Sequence, residues 1–176
     1  MSDMQSIFET LLAAQAGKSN PPVTQWSPTE IRDIDLRIDA DGRWFHQGGE
    51  IKRMGLVRVF ASVLRRDGDE FFLVTPREKF IVQVADAPLI VVDFTVQGHD
   101  AEQQVLFSTN TDEHMLIDTE HPLSVRHGVP YVDVHRGLQA KFNRPAFYRL
   151  VDCARVDGAQ MWLDSCGLSF SLGATA

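Results

Sequence analysis

The sequence predicts an α+β fold made of a duplicated unit of antiparallel sheet plus helix. Three observations carry that reading. Apolar residues alternate with period two in most segments after Ile34. Helical period appears in the body of the chain only near 51–66 and 144–155. In both places the helical stretch is followed by two strand-like runs, so one order of elements occurs twice.

In chain order, residues 2–16 place Ile7, Phe8, Leu11 and Leu12 on one face of a short amphipathic helix, with Ser2 or Ser6 as its N-cap. "GKSNPP" ends it, because Gly17 suits a C-cap and Pro21–Pro22 cannot continue a helix. "GKS" is not a phosphate loop: the required earlier glycine position holds Leu12, and no strand precedes it. Residues 17–29 read as an extended leader. "IDLRI" and "RWFHQ" flank "DADG" as a hairpin, and "RMGLVRVFASVLRRDG" presents Leu56, Val57, Phe60, Val63 and Leu64 as a helical stripe stopped by Asp67–Gly68. "EFFLVT" and "KFIVQV" around "PRE" form a second hairpin.

Strands are then expected near "LIVVDFTV", "EQQVLFST", "HMLID", "LSVR" and "PYVDVHRGLQAKF", separated by the turn formers "QGHD", "NTDE" and "RHGVP". Residues 144–155 return to helical period, with Phe147, Leu150, Val151 and Ala154 on one face and Pro145 in the first turn. "AQMWLDSCGLSFSLG" closes as a hairpin. Laid over one another, the two helix-and-hairpin stretches match Arg53 with Arg144, Arg58 with Arg149, Leu73 with Leu163 and Phe80 with Phe170. The expected divisions are 1–29 (N-terminal helix and leader), 30–87 (first unit) and 88–176 (second, larger unit).

A chain of 176 residues with 44% apolar residues can bury an ordinary core. Seventeen basic against twenty-four acidic side chains give a formal charge of −7, which argues against a nucleic-acid polymer or an anionic membrane as partner. Its longest apolar run, "APLIVV", is far short of the roughly 20 residues a membrane span needs. The N-terminal segment has acids where a signal peptide has bases, and Cys153 and Cys166 lack CxxC spacing, so a cytoplasmic protein with reduced thiols is expected.

Several phrases together, "LVRVFASVL", "LVTPREKFIVQVADAPL", "LFSTN", "HPLSV" and "PYVDVHRGLQAKFNRPAFYRLVD", resemble a bacterial family catalogued only as domain of unknown function 1285. The resemblance implies an α+β fold with a duplicated core and a C-terminal half superficially like a pleckstrin-homology fold. It also implies a ligand site at the interface of the halves, a nucleotide-type ligand and a role in signalling.

The residues themselves offer several candidate sites. Arg136 shares the parity of Val132, Val134, Leu138 and Ala140, and a guanidinium on an apolar face is costly unless something answers it. A bulge at Gly137, an internal carboxylate or a bound anion would each do so. Arg53 and Arg144 stand at the two helix starts, where free N–H groups favour an anion; alternatively each arginine caps its own turn or pairs with an acid such as Glu50.

Thr75 and Lys79 suit phosphate oxygens and Glu78 a sugar or base donor, while the plain alternative is a solvated hairpin tip. Asn110 suits a base edge or a turn. His121 beside Asp118 and Glu120, with His114 and His127 nearby, invites a metal, yet no HxH or HExxH spacing supports one. Trp44 and His46 suit a stacking pocket or simple hairpin packing. No nucleophile elbow or dinucleotide loop is present.

The sequence therefore favours a non-catalytic regulatory module for a small anionic, nucleotide-like ligand, without a cofactor. The alternatives are a metal-assisted hydrolase around Asp118 and His121, and an interaction module docking a protein through its N-terminal helix.

Overall fold

Two six-stranded sheets of the same strand order, one in each half of the chain, organise this protein, whose structure is a computed structural model describing residues 6, 9 and 21–175. The helix expected over 2–16 lies outside the described residues apart from Ser6 and Glu9, both helical. The chain divides into two compact units, Met1–Pro88 and Leu89–Ala176.

In the first unit, β1 (Glu30–Ile38), β2 (Trp44–His46) and β3 (Gly49–Glu50) form a meander. Helix α1 (Met54–Ser62) then leads to a second meander of β4 (Leu64–Asp67), β5 (Glu70–Val74) and β6 (Glu78–Val84). The order is β3-β2-β1-β6-β5-β4, antiparallel except where β1 meets β6 in parallel. Burial follows the pleat: Ile34, Leu36 and Ile38 of β1 are buried while the residues between them are exposed. Trp44 lies against Phe60 of α1, ring centroids 6.0 Å apart, and neither is more than 1% exposed. Burying a side chain of Phe60's kind stabilises the fold by about 1.5–3 kcal/mol.

Helix α1 ends at Ser62, four residues short of the end of the helical period at 66. Ser62 donates its hydroxyl to the Val59 carbonyl at 2.6 Å, and Val63 leaves helical geometry. Leu64–Asp67 instead pairs with Glu70–Leu73 across a tight turn whose Gly68 has φ 64°. The glycine-first turn favours a hairpin, and it takes over the residues that the helical pattern would have claimed. Val63 and Leu64 are fully buried all the same, so the stripe identifies core residues even where it misnames their element.

The second unit runs β7 (Leu89–Gln97), β8 (Gln104–Thr109), β9 (His114–Leu116), β10 (Leu123–Arg126), β11 (Val129–Asp133) and β12 (Gln139–Phe142). Helix α2 (Arg144–Asp152) and the strands β13 (Arg155–Asp157), β14 (Gln160–Ser165) and β15 (Leu168–Ala174) follow. The first six strands make a sheet ordered β10-β11-β12-β7-β8-β9, with β12 and β7 parallel, and β13-β14-β15 form a separate antiparallel sheet. Numbered within its own unit, each large sheet therefore reads 3-2-1-6-5-4, two antiparallel meanders joined by one central parallel pair.

A second repetition cuts across the first. Helix α1 with β4-β5-β6 and helix α2 with β13-β14-β15 are each a helix followed by a three-stranded meander. Leu73 pairs with Phe80 across β5 and β6, and Leu163 pairs with Phe170 across β14 and β15. The four residues aligned in sequence thus occupy one register in two hairpins.

Candidate functional site

Four of the candidate residues belong to the first unit. Thr75, 3% exposed, closes the β5–β6 turn: its Oγ1 donates to the Glu78 carbonyl at 2.8 Å and accepts from the Glu78 and Arg77 amides at 3.1 and 3.3 Å. Glu78 lies 3.5 Å from the Arg32 guanidinium, which also sits over the Phe80 ring.

Lys79 donates to Asp67 at 3.0 Å and lies over the Phe72 ring, 4.1 Å from its centroid. Asp67 also accepts two bonds from Arg65, whose remaining donor reaches the Val23 and Trp26 carbonyls at 2.7 Å each. The Arg65 bonds, joined by Lys79, outweigh burial and hold the Asp67 carboxyl below its ordinary range. Lys79 is thereby part of the ionic network that fastens the leader, through buried Val23, to the sheet. Arg53 is exposed at the N-cap of α1 and makes no side-chain capping bond.

The other four belong to the second unit. Asn110 behaves like an extra strand residue: its Oδ1 accepts from the Ile90 amide at 3.0 Å while its own amide donates to the Ile90 carbonyl at 2.8 Å. Arg144 is exposed in the first turn of α2, where Asn143 supplies the cap by accepting from the Ala146 amide at 2.9 Å. Asp118 Oδ1 accepts from the Glu120 and His121 amides and lies 3.2 Å from His121 Nδ1, an Asx turn closed upon itself. Among the described residues, no three or more His, Cys, Asp or Glu side chains are grouped to hold a metal ion.

Arg136 occupies the most unusual position. The strand expected over 132–142 breaks at His135–Gly137, where Arg136 takes a left-handed φ of 59° and Gly137 one of 73°. Such a conformation costs a non-glycine residue about 1–2 kcal/mol. Both plain answers to a guanidinium of buried parity are present, the glycine turn and an internal carboxylate. That carboxylate is Glu113, from the β8–β9 turn, whose Oε1 lies 2.6 Å from His135 Nε2.

Burial pushes the Glu113 carboxyl up, but the His135 hydrogen bond and the charges of His135 and Arg136, helped by Thr111, bring it below its ordinary range. Arg136 is pulled below its own ordinary value by burial, with Glu113 opposing. His135 Nδ1 is buried and makes no hydrogen bond. Leaving such a group unmade costs about 1–3 kcal/mol.

The sheet explains why these residues meet. Ala140 of β12 is level with Leu89 at the start of β7, and Thr109 at the end of β8 is level with Val91. Both the β11–β12 break and the β8–β9 turn therefore emerge where β7 begins. Thr109 and Thr111, each under 8% exposed and with hydroxyls 3.0 Å apart, brace the second turn from beneath.

A cavity of about 520 Å³ lies elsewhere in this unit, between Asp93–Val96 of β7 and Arg149, Asp152 and Cys153 of α2. Arg149 fills part of its wall by pairing with Asp93 and lying over the Phe94 ring. None of the eight residues singled out in the sequence lines it.

Comparison with known proteins follows the same division. Residues 21–87 match a domain of unknown function, DUF1285, N-terminal domain, and residues 88–172 match the DUF1285 C-terminal domain. The chain belongs to the DUF1285 family. A DUF1285 family protein from Silicibacter pomeroyi DSS-3 is similar over 93% of this chain and 94% of its own, at 37% identity and a TM-score of 0.82. Another from Shewanella baltica OS155 is 31% identical over 68% of this chain and 91% of its own, with a TM-score of 0.56. No curated protein matches the chain.

Within this DUF1285 chain, sequence reasoning singled out Arg136 but missed Glu113 and His135. Strand parity assigned His135 to the outer face, and Glu113 read as one acid in the turn "NTDE". The two stand 22 residues apart with no shared motif, so only the pairing of β7 with β8 and β12 reveals them.

Proposed function

We propose that this DUF1285 protein is a non-catalytic regulatory module that binds a small, nucleotide-like anion at the Arg136 turn of its second unit. One observation carries the reading. A desolvated guanidinium stands on a strained left-handed turn, in the field of the Glu113 carboxylate that also meets His135. Strained backbone that holds a charge in place is characteristic of ligand sites, and arginine's planar fork suits phosphate or carboxylate oxygens. The exposed arginines at the helix starts, Arg53 and Arg144, provide further cationic positions for an anion in their own units.

A thermal-shift screen of inorganic phosphate and mono- and dinucleotides tests the reading. At least one anion is expected to raise the melting temperature in a saturable way, and Arg136→Ala to remove that response. No stabilisation by any of them, or an unchanged response in Arg136→Ala, overturns it.

A further inference from the structure

Strand β7 has an open edge in the middle of its sheet, and that edge faces the cavity beside α2. On one side β12 pairs with β7 only from Leu89 to Val91 before the chain turns into α2, while on the other β8 follows β7 as far as Gln97. From Phe94 to Val96, β7 therefore has no partner strand on its β12 side.

The hydrogen bonds show which groups this edge presents. In an antiparallel ladder the amide and carbonyl of one residue point to the same side, and the side alternates along the strand. Val105, level with Val96, donates its amide to Ser165 Oγ at 3.0 Å and accepts the Ile117 amide on its carbonyl at 2.9 Å, so it bonds away from β7. Val96 accordingly turns its own amide and carbonyl to the open side. Phe94 points the same way but is already answered: its amide donates to Asp93 Oδ1 at 2.9 Å and its carbonyl accepts from Arg149 at 3.0 Å. Unpaired edge groups are a template for another strand, and covering them is how proteins blunt an edge. Among the described residues no side chain caps Val96 in this way, and Val96 is 36% exposed.

Charge indicates the occupant. Asp93 and Asp152 line the cavity against one guanidinium, Arg149, and the wall at Asp152 and Cys153 is the negative, C-terminal end of α2. We propose that the Val96 edge and this cavity receive an extended, basic peptide segment of a partner protein, which adds a short strand to β7 and places a lysine or arginine beside Asp152. Main-chain bonds to Val96 supply the anchor and the acidic wall the selectivity. The site shares no residue with the Arg136 turn, so it is independent of the anion reading.

The probe is a capped hexapeptide alternating valine with lysine, titrated into the full chain labelled with nitrogen-15. It is expected to shift the Val96 amide resonance and to slow hydrogen exchange of that amide at least about tenfold, since an unpaired edge amide exchanges freely and a paired one does not. The same peptide N-methylated throughout keeps its side chains but loses its amide donors, and a valine–glutamate peptide reverses the charge. Each should bind at least about tenfold more weakly, the effect of losing one hydrogen bond or one charge pair. Val96→Pro deletes the amide on the side that makes no ladder bond, where proline is tolerated, and should lose the peptide. If that variant does not fold, the methylated peptide decides. Absence of binding, equal binding of the methylated or glutamate peptide, or a bound peptide that leaves Val96 unmoved overturns the proposal. A dimer of the chain in sedimentation that Val96→Pro abolishes gives the edge to a second copy and overturns it as well.

Discussion

His135 Nε2 and Glu113 Oε1 meet at 2.6 Å across two turns of one sheet, and this contact makes the stability of the second unit depend on acid. Glu113 titrates below the ordinary carboxylate range in the folded chain, so the unfolded state binds its proton first as pH falls. Its contribution is complete above about pH 5 and is lost as pH drops through the folded value. Glu113→Gln should cost about 1–2 kcal/mol at pH 7, reduced from a fully buried charged bond by partial exposure. It should cost progressively less below about pH 4.5. Urea denaturation across this range is the measurement; a cost independent of pH would contradict the pairing.

The network of Arg65, Asp67 and Lys79 gives a contrasting prediction in the first unit. The two cationic side chains are 14% and 16% exposed, and Asp67 is the carboxylate they share. Asp67→Ala leaves both partly buried charges without that partner and should cost about 3 kcal/mol. The exposed pair of Arg155 and Asp164 makes equally short bonds, yet Arg155→Ala should cost no more than about 1 kcal/mol. Comparable losses in both variants by chemical denaturation would show that burial does not control these pairs.

The sequence made the repeating hairpins legible because Leu73 with Phe80 and Leu163 with Phe170 are local pairs, and local spacing is what periodicity records. It mistook 64–67 for helix because Leu64 continues a helical stripe and a strand face equally well, and only its pairing with Leu73 decides between them. The central parallel pairs were hidden for a related reason: β1 and β6 are joined through a helix and four further strands, a separation that leaves no short motif. Arg136 stood out by its parity. Its neighbours did not, since Glu113 reaches the turn only through the ladder of β12, β7 and β8.

Arg136 also allows function and stability to be separated. Replacing it with glycine removes the left-handed strain, about 1–2 kcal/mol, and a desolvated charge, at the expense of greater unfolded-chain entropy and a weaker field on Glu113. Arg136→Gly should therefore remain within about 1 kcal/mol of the parent while losing its thermal response to anions. A loss of several kcal/mol in urea melts would instead make the side chain a structural requirement of the turn.

Two glycines separate backbone strain from steric exclusion. Gly98 and Gly158 both have positive φ, 74° and 63°, so alanine is strained at either by about 1–2 kcal/mol. At Gly98 an added Cβ would also stand 2.5 Å from the Glu102 carbonyl oxygen, whereas at Gly158 nothing lies within 4 Å. That oxygen belongs to the connection between β7 and β8 and moves only with its backbone. Gly98→Ala should thus lose clearly more stability than Gly158→Ala, the difference reporting the distortion of the connection. Equal losses for the two in thermal and urea denaturation would mean that the β7–β8 connection yields freely and that the close approach at Gly98 constrains nothing.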